Sequence, residues 1–135
     1  MKSNKNILSV FLFWGGLNGF LAVALGAFGA HALKERLEAN NTVVIWQTAS
    51  HYHLAHAIAL VLTAMLADKF VGSILLKRAG AGFLFGILLF SGSLYALALT
   101  NLKVLGAITP FGGLGFMAGW LLLLVTGVKS MDTER

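Results

Sequence analysis

Histidine is the side chain here best equipped for chemistry, and all four copies in the sequence fall in or beside one helical hairpin. His53 and His56 are three residues apart, which puts them about 60° apart on one helix face. His51 points elsewhere, roughly 160° from His53 at the α-helical pitch. With the intervening connection centred near Asn40, an antiparallel hairpin sets His31 level with about Ala49, a turn or less from His51 and His53. Two facing neutral imidazoles suit a transition metal or a haem iron, so His31, His53 and His56 are the metal candidates. The same histidines could instead hydrogen-bond neighbouring helices with no metal, or contact a small molecule of quinone type.

The acids narrow the chemistry further. Glu35, Glu38, Asp68, Asp132 and Glu134 all lie at helix ends or beyond them. With no carboxylate inside an apolar run, paired-carboxylate hydrolysis and an acidic proton relay lack their parts. No GxSxG, Walker loop or HExxH is present, and zero cysteines exclude a thiol nucleophile, a zinc ribbon and a disulfide scaffold. Gly80, Gly82 and Gly86 make no nucleotide fingerprint, because no strand precedes them.

The elements that must hold these residues follow from composition. Of 135 residues 58% are hydrophobic and 11% charged, and the mean hydropathy is +0.83. A soluble domain carries roughly 25% charged residues, so lipid must cover much of this surface. The chain reads as an all-α integral membrane four-helix bundle with spans near 7–33, 43–66, 79–100 and 104–128. The second is the least regular, because Gln47, His51, His53 and His56 interrupt it. A re-entrant segment is its alternative reading, and Asn40, Asn41 or Thr42 could cap it. A secretory signal ending near Ala22-Val23-Ala24 is the alternative for the first run, which is about twice the usual signal length. Short connections leave one domain, residues 1–135.

Positive charge sets the expected orientation. Lys2, Lys5, Lys69, Lys77, Arg78, Lys129 and Arg135 share one side, and Lys34, Arg36 and Lys103 the other. The excess places both termini in the cytoplasm. The pI near 9.9 therefore reflects topology, and no basic stripe suggests a nucleic-acid partner.

Under that orientation the unusual residues, Asn18 apart, gather in the outer half of the bundle. They are His31, Gln47, His51, His53, His56, Ser91, Ser93, Tyr95, Thr109 and Pro110. Polar groups within a membrane usually face a cavity or one another, which predicts an outward-facing polar pocket. His56 falls near the bilayer middle and should be neutral, paired to a hydroxyl, a carbonyl or a ligand. His31 lies roughly 6–10 Å shallower at ~1.5 Å per residue, so the two would share an ion only with help from His53. A hydrogen-bonded pocket containing His31, His56 and Tyr95 is the expectation. Thr109-Pro110 marks a helix start, or a kink lining a cavity.

Gly15/Gly19, Gly82/Gly86 and Gly115/Gly119 each form GxxxG, and Ala22, Gly26 and Ala30 continue a small stripe. Such spacing serves close packing within the bundle or contacts of a homo-oligomer.

Four stretches together carry a family resemblance. They are LGAFGAHAL at 25–33, WQTASHYHLAH at 46–56, FSGSLY at 90–95 and ITPFGGLGFMAGW at 108–120. In this order and spacing the chain resembles the domain of unknown function 423 family, small four-helix bacterial inner-membrane proteins with animal relatives. The resemblance implies a cell-membrane location and four spans, and supplies no activity. Its pattern falls on His31, Trp46, Tyr52, His56, Ser91, Gly92, Ser93, Tyr95, Pro110, Gly112, Gly113, Gly119 and Trp120. Positions 51 and 53 often hold other polar residues in that pattern, which shifts weight from a histidine cluster to His31 and His56.

Three functions compete. The first is a non-enzymatic protein whose outer pocket, drawn from His31, Gln47, Tyr52, His53, His56, Ser91, Ser93, Tyr95 and Pro110, binds a small ligand, lipid or metal. The second is a structural or partner-binding module without a ligand. The third is a redox or enzyme subunit using His31 and His56.

Overall fold

Long apolar runs in lipid must satisfy every backbone N–H and C=O within the segment, so they become helices. The computed structural model describes the backbone of residues 2–133 and the side chains of residues 7–131. Lys2, Lys5 and Arg135 from the charge count, and the acids Asp132 and Glu134, lie outside the described side chains. Six α-helices follow in order: α1 (Lys2–Ala30), α2 (Lys34–Ala39), α3 (Val43–Lys69), α4 (Ile74–Gly86), α5 (Gly92–Thr100) and α6 (Thr109–Thr133). A π turn, Ile87–Ser91, joins α4 to α5, and a 3₁₀ turn, Lys103–Ala107, precedes α6. Among the described residues, four stretches are long and apolar enough to cross a membrane: Ile7–Ala30, Val43–Lys69, Ile74–Thr100 and Lys103–Met131. The protein is an all-α, multi-pass membrane bundle.

Span boundaries differ from the sequence expectation at the connections. The first helix stops at Ala30, where the Leu33 N–H closes back onto Phe28 O at 2.8 Å. Six residues then form α2, whose end is a Schellman turn. Asn41 takes the left-handed conformation (φ 54°), and the N–H groups of Asn41 and Thr42 return to Glu38 O and Leu37 O. The third span begins earlier than expected, at Ile74, because Ser73 caps it by accepting the Leu76 N–H.

No side chain caps α3. The polar residues before it are turned to another end. Thr42 Oγ1 donates to Ala98 O at 2.8 Å, Asn40 Nδ2 to the same oxygen at 3.1 Å, and Arg36 Nε to Leu99 O at 3.0 Å. Those carbonyls belong to the last turn of α5, whose acceptors have no helical partner. The first connection thus clasps the end of the third span.

Helix α3 is the hub, packing on α1, α4, the π turn and α5, while α4 and the π turn pack on α6. Glycine sets the spacing. A Cβ at Gly82 would stand 2.9 Å from Gly115 O, and one at Gly115 would stand 3.0 Å from Gly82 O. The α4 and α6 backbones touch there, as small-xxx-small packing allows. Gly15 likewise lets α1 approach Val61 of α3. Phe11, Leu60, Phe83, Ile87 and Phe116 fill the core around these contacts.

Candidate functional site

Asn18 lies midway along α1, inside an apolar run, and its amide is buried. Its Nδ2 donates to Trp14 O one turn back at 2.8 Å, which leaves Oδ1 as the acceptor. His53 of α3 fills that role as donor, with Nε2 3.0 Å from Asn18 Oδ1. A neutral ring protonated at Nε2 must accept at Nδ1, and the Tyr95 hydroxyl of α5 stands 3.3 Å from that atom. The Tyr95 ring packs on Trp46 with centroids 4.6 Å apart. Donors and acceptors run in one direction from Tyr95 through His53 to Asn18, joining three spans.

His56 makes a separate set of contacts. The Trp120 indole can only donate, so its N–H, 3.1 Å away, fixes His56 Nε2 as an acceptor. Nδ1 then carries the proton and donates to Tyr52 O at 2.7 Å. The ring lies flat on Phe116 of α6, with centroids 3.5 Å apart and planes 10° from parallel. Phe83 closes a further side at 5.7 Å. This imidazole is a pin between α3 and α6.

Farther along, Ser93 donates to Phe90 O at 3.1 Å and shares a 2.8 Å bond with Thr109 at the start of α6. Pro110 is exposed in the first turn of α6. Ser91, within the π turn, is fully buried and its hydroxyl has no hydrogen-bond partner among the described residues. The turn exists where α6 comes closest, because a Cβ at Gly112 would collide with the Phe90 backbone.

A cleft of about 350 Å³ opens between α1, α2 and α3 at the end that carries the first connection. Gly26, Gly29 and the Trp46 indole form its apolar wall, and Gln47, Ser50 and His51 its polar one. Trp46 is held by its N–H to Leu25 O at 2.9 Å, and Gly29 leaves room for the ring. Lys34 and Glu38, 3.9 Å apart, stand at the mouth. Trp46, which lines the cleft, packs on Tyr95 and so adjoins the buried chain behind it.

The expected pocket residues therefore fall into several groups. Gln47 lines the cleft; His53 and Tyr95 form the chain with Asn18; Tyr52 and His56 join the aromatic pin; Ser91 and Ser93 pack toward α6. His31 is exposed in the turn after α1 and is not joined to His56 or Tyr95 by any contact among the described residues. The displacement has a geometric cause. Gly26 meets Ser50, Gly29 meets Trp46 and Asn18 meets His53, which centres the hairpin near Leu37 instead of Asn40. His31 is then level with Val43, at the membrane edge.

No group of three His, Cys, Asp or Glu side chains among the described residues is arranged to hold a metal ion. For His53 and His56 the reason is positive: each ring has both nitrogens engaged, so ligating an ion would break an existing bond. Asn18 is the buried partner of His53 that spacing alone does not single out. Its signal was its cost, since a lone amide at the middle of a span needs a partner.

The comparisons agree with a membrane protein. The family model described as Protein of unknown function (DUF423) matches residues 25–113. The chain is 44% identical to the UPF0382 membrane protein YwdK of Bacillus subtilis over 122 residues, 90% of this chain and 98% of that one. It is 43% identical, with the same coverage, to a UPF0382 membrane protein of Staphylococcus epidermidis. No solved structure matches it.

Proposed function

Since this chain belongs to the DUF423 family of membrane proteins, whose description gives no activity, we propose from its geometry that it is a non-catalytic binder of a small amphipathic ligand. The ligand occupies the cleft between α1, α2 and α3. The observation that carries this reading is the cleft's size and lining. About 350 Å³ is within the range of small-molecule sites, and such sites are mostly apolar with a few converging polar groups. Gly26, Gly29, Ala30 and Val43 offer apolar surface beside the buried Trp46 ring, Gln47, Ser50 and His51 offer hydrogen bonds, and Lys34 with Glu38 offers both charges at the rim. A molecule with an apolar body and a polar or zwitterionic end fits that arrangement. Trp46 connects the cleft, through its packing on Tyr95, to the bonds among Tyr95, His53 and Asn18 that fix how three spans sit together.

The reading of the buried histidines as redox or acid–base groups is weaker, because their ring nitrogens hold helices together.

Native mass spectrometry on protein extracted gently from membranes tests the proposal. Wild type should retain a discrete small molecule, and Gln47→Trp, which fills the cleft from an exposed position, should lose it while keeping the wild-type melting temperature. Equal retention by both proteins contradicts the proposal.

A further inference from the structure

Helices α1 and α4 touch where the Phe11 ring occupies the space a Cβ at Gly80 would need. Farther along they part. The cleft between them, about 310 Å³, is lined by Trp14 and Asn18 of α1, Leu84 of α4, and Ile87 and Leu88 of the π turn. We propose that it takes up the carbonyl-bearing ring of a membrane-dissolved quinone, whose apolar tail leaves between the two helices into lipid.

Two unpaired donors call for such an occupant. Asn18 Nδ2 carries two hydrogens, of which Trp14 O takes one, and Oδ1 is bound to His53. The second hydrogen has no partner among the described residues. The Trp14 indole N–H has none there either, whereas the indoles of Trp46 and Trp120 are bonded to Leu25 O and His56 Nε2. Trp14 and Asn18 are four residues apart and share one face of α1. Asn18 stands eleven residues after Ile7 and twelve before Ala30, at the middle of the span. Hydrocarbon at that depth offers an unpaired N–H no acceptor.

Depth and charge select the class of ligand. Phospholipid ester carbonyls sit at the edge of a hydrocarbon core about 30 Å thick, so they stay about 15 Å from Asn18. Among the described lining residues none is charged, and a carboxylate at this depth would stand without a counter-ion. A quinone carries neutral carbonyls into the bilayer on a flat ring, and they accept hydrogen bonds without donating. The Trp14 indole, 42% exposed, offers that ring a flat face, and Leu84, Ile87 and Leu88 offer apolar walls. This cleft shares no lining residue with the α1–α3 cleft, so neither reading depends on the other.

The test is nitrogen-15 NMR of the full chain in nanodiscs, read at the indole N–H signals of Trp14, Trp46 and Trp120 and at the Asn18 side-chain amide. A naphthoquinone with a two-isoprene tail should shift Trp14 and Asn18 saturably and leave Trp46 and Trp120 in place. Naphthalene with the same tail, which has no carbonyl, should shift neither. Trp14→Phe keeps a ring face and removes the N–H. It should melt as wild type and weaken quinone binding, followed at Asn18, about fivefold. Movement of all three indoles would mean unspecific partitioning, and equal shifts from the naphthalene would mean a groove for lipid tails. Either result overturns the proposal, as does no shift at all or an undiminished quinone affinity in Trp14→Phe.

Discussion

Two buried histidines three residues apart carry opposite tautomers, and their neighbours dictate which. Asn18 makes His53 a donor at Nε2, while the Trp120 indole makes His56 an acceptor at the same atom. Nitrogen-15 NMR of selectively labelled histidine should therefore show one ring protonated at Nε2 and one at Nδ1. Two identical tautomers would contradict the assigned bonds. The energetics separate as well. Tyr95→Phe removes a donor to His53 and should cost roughly 0.5–1.5 kcal/mol, whereas Asn18→Ala strands the buried His53 N–H and should cost about 1–3 kcal/mol. Unfolding in detergent or by magnetic tweezers measures both, and equal, negligible effects would mean the chain contributes nothing to stability. Residue types announced these groups but not their partners. His53 and His56 share a face, yet one turns to α1 and α5 and the other to α6, a choice made by helix rotation that spacing alone does not encode.

At the scale of elements, the glycine stripes divide between uses. Gly82, Gly86, Gly112, Gly115 and Gly119 are consumed in packing α4 and the π turn against α6, while Gly19 has nothing within 4 Å of its missing Cβ. Gly86→Leu would drive a side chain into the Phe116 ring and should destabilise the bundle by roughly 1–3 kcal/mol. Gly19→Leu should leave the melting profile unchanged. Similar losses from both would show that α1 also packs through this face, and a lost dimer with intact monomer stability would assign the face to assembly. Four spans were legible from run length, because twenty apolar residues have few other fates. The π turn, α2 and the 3₁₀ turn were not legible. Each answers to a neighbour: Gly112 pressing on the Phe90 backbone, or Arg36, Asn40 and Thr42 reaching the carbonyls of α5. With α2 in the connection the hairpin centres near Leu37 instead of Asn40, which sets His31 nearer the end of the span than spacing alone predicts.

The whole molecule has two dissimilar ends. One carries the first connection, the α1–α3 cleft and its paired charges; the other carries Lys69, Lys77, Arg78 and Lys129. By the positive-inside rule the second end is expected to face the cytoplasm. A cysteine introduced at Glu38 should then react with an impermeant reagent added outside the cell, and one at Lys77 should be spared. The reverse pattern would invert the orientation and turn the α1–α3 cleft toward the cytoplasm.

The claim that this cleft holds a ligand is tested most directly by photocrosslinking in living cells. A benzoylphenylalanine replacing Gln47 looks into the cleft, whereas one replacing Met65, 63% exposed near the other end of α3, lies far from it. The account predicts a single discrete small-molecule adduct at position 47 that is absent at position 65. The same mixture of bulk-lipid adducts at both positions would contradict it.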